Sequence, residues 1–347
     1  MRLTSGRPAP VAAPDLLQQI GTDLLQEDLG RFTETMEAAL SPQQPYLTEV
    51  EYQLYRLGKK IRPMLLLLSA RMMHGKDAPL PEKAISGAVS LEMLHVATLI
   101  HDDIVDDAMT RRGLRSVNAA RGVEAAIVVG DLQFVQAIRG FVDAIDTQRD
   151  MGLVKLVLDT AFRICCGELD ELQTDPNWDA SVLRARYMET IERKTAVMFG
   201  LACEAGISLV EAHTGDARRG GFYGRRVGRA FQIMDDLLDF LQDDGPAGKA
   251  RGMDLSRRRV SLPLIYAMEE LGSDHPVSRF MRGGGRQDLG DLEAAAAAVT
   301  ATAGFRRAYA EARGQALDAL EYLRPFPRNR YRRALEDIAL YVVDRGA

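Results

Sequence analysis

Four aspartates fall within six residues at Asp102, Asp103, Asp106 and Asp107, and Arg111 and Arg112 follow closely. On a helix, positions i and i+4 lie nearly above one another, so Asp102 and Asp106 share one face and Asp103 and Asp107 the next. Carboxylates this crowded repel one another unless a cation or water screens them. Carboxylate oxygens with open water positions suit Mg²⁺, which usually also takes phosphate oxygens. The arginines match a polyphosphate in charge and fork geometry. The plainer reading is a solvated acidic helix end, and a single DDxxD by itself favours it. A second cluster shifts the balance. FQIMDDLLDF, Phe231 to Phe240, repeats the spacing as Asp235, Asp236 and Asp239. Its acids are embedded among apolar residues, as solvated acidic faces seldom are. The two clusters predict two helices facing each other across a cavity, each holding metal from its own side.

The elements that must position these residues read as helices. Leu, Ala, Met, Glu and Arg dominate, aromatics are only 6% and β-branched runs are few. After a tail at residues 1–13, helical stretches are expected over Asp15–Leu40, Tyr46–Leu57 and from Pro63 to about Met73. The first aspartate cluster ends a helix running from Glu82 to about Met109. Gly113 to Arg121 reads as loop or short helix. Val123–Ile145, Asp150–Thr174, Val182–Leu209 and Asp216–Gln242 follow as helices, the last with Gly220, Gly221, Gly224 and Gly228 suited to close helix packing. A Gly-rich loop spans Asp243–Asp254. Leu262–Leu271, Asp291–Ala303, Phe305–Leu323 and Arg328–Arg345 complete the chain. No stretch alternates cleanly as a strand, and no linker divides residues 14–347, so the expectation is one large all-α domain.

Bulk properties exclude several classes. A net charge of −5 gives no reason to expect nucleic-acid binding. Cys165, Cys166 and Cys203 have neither metal-site spacing nor a disulfide framework, which points to the reducing cytoplasm. The first residues lack the apolar core of a secretory signal. With no run of 18 apolar residues, no membrane span is expected.

In order along the chain, its motifs resemble those of the trans-polyprenyl diphosphate synthases, from about Leu57 to Pro263. GKKIRP (58–63) is similar to GGKRxRP. HDDIVDDAMTRRG resembles the first aspartate-rich motif in its compact form, and GDLQFVQA (130–137) resembles GDxLxxxA. RKTAVMF (193–199) resembles the KTA segment, FQIMDDLLDF the second aspartate-rich motif, and GKARGMDL with VSLPLI the late loop motif. The resemblance implies an isoprenoid synthase-type helical bundle around a central cavity. It also implies a homodimer and a reaction in which isopentenyl diphosphate attacks the carbocation left by an ionising allylic diphosphate. Three Mg²⁺ ions would accompany the bound diphosphate. Asp102, Asp106 and Asp235 would ligate metal directly, and Asp103, Asp236 and Asp239 directly or through water. Arg111, Lys194 and Lys249 would hold the allylic diphosphate, with Thr195 and Gln232 near its reacting end. Lys59, Arg62, His95 and Arg112 would bind isopentenyl diphosphate, and the departing pyrophosphate would take the proton.

Taken singly, each of these positions also has an ordinary reading. Lys59 and Arg62 could be solvated charges, His95 a satisfied core histidine, Lys194 a partner of Glu189 or Glu192, and Thr195 and Gln232 plain helix hydrogen-bonders. Four departures from the family pattern stand out. Leu57 replaces a glycine, Lys60 the arginine of GGKRxRP, Glu171 a glutamine, and Arg258-Arg259 replaces Gly-Lys. Arg259 should still contact a diphosphate, with different reach.

Product length follows from the helix behind the first motif. Ala97 lies five residues before Asp102, about 7.5 Å along the axis, with Thr98 beside it and Leu94 and Ser90 deeper. Short-chain relatives carry a bulky aromatic floor near this point. The small residues here, and the compact DDxxD, favour an open channel and a hexaprenyl to decaprenyl product. The alternatives are a floor set elsewhere, as at Phe134 or Phe141, with a farnesyl or geranylgeranyl product; a class I terpene cyclase; or a non-catalytic partner subunit. A cyclase has no use for Lys59, Arg62 and Arg112, and a silent subunit tends to lose aspartates.

Overall fold

The computed structural model describes residues 15–146, 150–210, 212–241, 251–285 and 289–344. Its helices are α1 (Asp15–Leu24), α2 (Gln26–Leu40), α3 (Glu49–Arg56), α4 (Ile61–His74), α5 (Glu82–Val105), α6 (Val117–Arg121), α7 (Val123–Asp143), α8 (Met151–Leu172), α9 (Ala180–Ile191), α10 (Val197–Ser208), α11 (Thr214–Leu241), α12 (Met253–Ser256), α13 (Leu262–Leu271), α14 (Pro276–Met281), α15 (Leu292–Ala301), α16 (Ala303–Leu323) and α17 (Arg330–Asp344). The buried apolar side chains form one connected core reaching from Leu17 to Val343.

Three helices sit at the centre because they are apolar on nearly every side. Leu65 to Leu68 of α4 are wholly buried, as are most of α5 and α10. The amphipathic α11 lies across α10, and its glycines permit the close approach expected of them. A Cβ on Gly224 would stand 2.2 Å from the Phe199 carbonyl oxygen.

Several elements differ from expectation. The first stretch breaks at Leu25, which leaves helical geometry. Helix α3 starts later, where Thr48 N–H donates to Glu51 Oε2 at 2.8 Å. Helix α5 ends at Val105, short of Met109, because Asp107 adopts a left-handed conformation (φ 47°). A small antiparallel hairpin then appears where no strand was expected, β1 (Thr110–Arg111) against β2 (Leu114–Arg115). Arg112 and Gly113 turn it with φ of 53° and 78°. The 182–209 stretch is two α-helices joined by a π turn, Glu192–Ala196. Helix α14 was not anticipated. By length and mean hydropathy alone two helices are long and apolar enough to cross a bilayer, a measure that the core helix of a soluble bundle also meets. Of these, α5 is mostly buried in the core, whereas α7 is mostly not.

Candidate active site

The end of α5 and the hairpin after it build one wall. Arg111 is folded back by the hairpin, so that its Nε and Nη2 donate to Asp103 Oδ1 at 2.8 and 2.5 Å. Asp103 is buried, and its other oxygen, Oδ2, has no hydrogen-bond partner. Burial pushes the Asp102 carboxyl up, against the pull of Lys194 and Arg111. Asp106 pairs with Arg259 at short range and faces Arg257 Nη1 at 3.6 Å.

Helix α11 and the π turn build the opposite wall. Thr195 Oγ1 donates to Gln232 Oε1 at 2.8 Å, and Gln232 Nε2 donates to Asp236 Oδ1 at 2.9 Å. Tyr187 OH donates to Asp236 Oδ2 at 2.6 Å. Burial raises the Asp236 carboxyl to about 7, against these two hydrogen bonds. Asp239 accepts from the Met253 and Asp254 amides at 3.2 and 3.0 Å and so anchors α12. The Asp254 carboxyl is pushed well up by burial and by Asp236, Asp239, Glu171 and Asp235. Lys194 pairs with Glu168 at 2.5 Å and Glu171 at 2.6 Å. Burial alone would lower its ammonium; Asp102, Glu171 and Glu168 override that and raise it.

A third group lies at the start of α4. Arg62 Nη1 is 3.0 Å from His95 Nε2 and its guanidinium sits over the Phe199 ring, 4.9 Å from the centroid. Burial brings Arg62 down to about 10, while Glu92, Asp235 and Asp102 oppose the fall and Arg112 adds to it. Burial and the surrounding cations Arg62, Arg112, Lys60 and Arg111 hold His95 neutral, well below its usual value. A guanidinium only donates, so His95 Nε2 accepts. Arg112 donates to the carbonyls of Leu54 (3.0 Å) and Leu57 (2.6 Å), bracing the GKK loop. Lys59 lies 3.4 Å from Tyr341 OH. Lys249 lies outside the described residues.

Lys249 aside, the structure brings the expected residues into two acidic walls and a cationic corner, with Asp102 and Asp235 both acting on Arg62. Arg111, Arg112, Arg259 and Lys194 are not bare charges, because each already pairs with a carboxylate or a carbonyl; Arg62 instead meets His95 and the Phe199 ring, and its Nε has no hydrogen-bond partner. Sequence reading missed Tyr187, Glu168, Asp254, Arg257 and Glu92. Glu92 was findable, as an acid within an otherwise apolar helix, and here it pairs with Lys60 at 2.8 Å. Tyr187 left no signal, since nothing in its surroundings marks it as a partner of Asp236.

Behind the first motif, Ala97 is fully buried and Leu94 nearly so. Deeper still, Ser90, Leu94, Phe141, Val157 and Leu201 line a mostly apolar cavity of about 10 Å³. That is room for little more than one water, so a prenyl tail reaching this level must move side chains. Thr98 Oγ1 donates to the His95 carbonyl at 2.8 Å.

Among the described residues no three His, Cys, Asp or Glu side chains are grouped so that they could hold a metal ion as they stand. The donor set still fits a hard divalent ion. It offers carboxylate oxygens from two helices, a buried oxygen on Asp103 without a partner, and acids that raise one another. Mg²⁺ characteristically takes few protein ligands, with water and phosphate completing its shell.

The sequence model of the family described as Polyprenyl synthetase matches residues 44–299. Heptaprenyl diphosphate synthase component 2 of Geobacillus stearothermophilus is 31% identical over 323 residues, 92% of this chain and 97% of that protein. The crystal structure of a decaprenyl diphosphate synthase from Rhodobacter capsulatus superposes with a TM-score of 0.82 at 30% identity, covering 96% of this chain and 99% of that one. A polyprenyl synthase from Caulobacter crescentus, solved with calcium and isoprenyl diphosphate, gives 0.81 at 26% identity, covering 98% and 100%. The motifs, the helical bundle and the two acidic walls agree with these matches: the chain belongs to the polyprenyl synthetase family, as a trans-prenyltransferase.

Proposed function

We propose that this chain condenses isopentenyl diphosphate onto an allylic diphosphate, repeatedly, to a hexaprenyl to decaprenyl product. The observation that carries the reading is the convergence of both motifs on one group. Asp102 from α5 and Asp235 from α11 act on the same Arg62 guanidinium, and Glu171 acts on Asp102 and Asp236 alike. Asp102, Asp106 and Asp235 would hold Mg²⁺, with Asp103, Asp236 and Asp239 behind them. When bound, the metal supplies neutralisation of charge on a leaving diphosphate. Lys194, held protonated, binds the allylic diphosphate from the other side. Thr195, oriented by Gln232, presents its hydroxyl beside the reacting carbon. His95 stays neutral and aligns the Arg62 fork for the diphosphate of the second substrate. A metal and isoprenyl diphosphate in the Caulobacter relative, and long-chain names among the relatives, support this assignment.

The apolar outer faces of α7 and α8 support a dimer, and the unbridged cysteines support a reducing, cytoplasmic setting. The Geobacillus relative is named a component, which favours one second reading: catalysis that needs a different partner chain. Incubating purified protein alone with isopentenyl diphosphate, farnesyl diphosphate and Mg²⁺ should give products longer than geranylgeranyl by mass. Excess chelator, or Asp102→Ala, should abolish them. Undiminished turnover in chelator sinks the metal reading; no product from the protein alone favours the partner reading.

A further inference from the structure

The π turn at Glu192–Ala196 contains neither Gly nor Pro that would cause it. Such turns are rare and persist where surroundings favour them. One inserted residue rotates everything after it by about 100° relative to an unbroken α-helix. It therefore decides where Lys194 and Thr195 point. Two helices press on the turn. A Cβ on Gly167 of α8 would stand 2.6 Å from the Lys194 amide nitrogen, and one on Gly228 of α11 would stand 2.7 Å from the Ala196 Cα. Between them lies a charge cluster with no role in the site described above. Glu192, the first residue of the turn, is nearly buried. Its Oε2 meets Arg229 Nε at 2.7 Å, while Oε1 has Arg225 Nε at 3.7 Å and Arg163 Nη2 at 3.9 Å. Arg163 comes from α8 and Arg225 and Arg229 from α11, so one carboxylate ties the turn to both pressing helices.

We propose that the Glu192–Arg229 ion pair is a positioning device for the known reaction, fixing the π turn that aims Lys194 and Thr195. Neither residue is among those assigned to substrate or metal above. The inference rests on reading Lys194 and Thr195 as allylic-side groups, but its first measurement does not require turnover. Arg229→Met keeps the aliphatic stem and removes the charge; Arg229→Lys keeps a charge without the planar fork. In Arg229→Met, amide hydrogen exchange over residues 192–196 should rise about tenfold or more, as loss of a part-buried partner implies. Exchange in α5 and α13 should stay as in the wild type, and Arg229→Lys should restore much of the protection. Kinetically, KM for the allylic diphosphate should rise, or kcat fall, by about tenfold, with KM for isopentenyl diphosphate unchanged. Glu192→Gln should act in the same direction, and the Glu192→Gln/Arg229→Met double variant should be no worse than the stronger single one. Unchanged exchange over 192–196 overturns the proposal. So does a uniform rise across all helices with equal loss for both substrates, which is what an ordinary stabilising ion pair would give. Absence of prenyl transfer by the wild type would sink the functional reading and leave the exchange result standing.

Discussion

At the scale of single residues, the site is governed by what burial does to charge. His95 is held neutral among cations, so its folded pKa lies below its unfolded one. Below about pH 6.5 the unfolded chain then binds a proton that the folded chain refuses. Stability is therefore lost as pH falls through that value, by up to about 1.4 kcal/mol per pH unit for one group. His95→Gln should flatten the slope of unfolding free energy between pH 6.5 and 5 by up to one proton's worth, read by denaturant titration. An unchanged slope would place the acid sensitivity elsewhere. The aspartates were legible from their own spacing, which fixes their face of a helix; Arg62, His95, Lys194, Thr195 and Gln232 stood out only through the resemblance to the family. What they bond to was not legible. Asp103 receives Arg111 because the left-handed Asp107 ends the helix between them and the hairpin turned at Arg112 and Gly113 holds Arg111 in place; spacing does not show a hairpin of four paired residues. Ala97 belongs to this scale too. It is fully buried two turns above the small cavity at Ser90 and Phe141. Ala97→Phe should cut the products to farnesyl or geranylgeranyl length by mass. Wild-type products already that short would refute the open-channel reading, and unchanged long products at a normal rate would mean the tail does not pass Ala97.

At the scale of elements, most helices were readable from apolar periodicity and breakers, and the misses have local causes. Leu25 and Asp107 interrupt helices without Gly or Pro. The π turn is invisible to a helical pattern because the residues on both sides remain helix-forming. The loop after α12 holds a more informative departure. Arg258 stands where the family has glycine, and it adopts the left-handed conformation that glycine takes freely (φ 57°). A non-glycine residue pays about 1 kcal/mol there. Its guanidinium offsets this by sitting over Phe280, 4.4 Å from the ring centroid, and by donating to the Gly284 carbonyl. The two substitutions should therefore rank oddly. Arg258→Ala keeps the conformational cost and loses the contacts, so it should destabilise by about 1–2 kcal/mol. Arg258→Gly loses both together and should stay within about 1 kcal/mol of wild type. Thermal midpoints showing alanine equal to or above glycine would refute this account of the loop.

At the scale of the whole molecule, the described surface is least protein-like along α7 and α8. Val128 and Val135 are 66% and 63% exposed, and Phe162 and Leu172 are 69% and 62% exposed. Rows of large apolar side chains on neighbouring helices mark an interaction face. The proposed dimer would cover it. Val128→Glu with Phe162→Glu should convert a sedimenting dimer to monomer while leaving the helical circular dichroism intact. A wild-type monomer at micromolar concentration would instead direct attention to a different partner chain.

The pre-paired charges of the site carry a consequence for the thermodynamics of filling it. Asp103 has Arg111, Asp106 has Arg259, and Glu168 and Glu171 share Lys194. On the proposed reading, a diphosphate can claim these cations only by displacing carboxylates, and a divalent ion can claim Asp103 or Asp106 only by displacing an arginine. Each ligand vacates the other's place. Their binding is then positively linked, with each raising the other's affinity by the same factor. The filling is an exchange of internal counter-ions for external ones, so the protein carries nearly the same charge before and after. Its response to ionic strength should accordingly be shallow, unlike that of a site built from bare lysines and arginines.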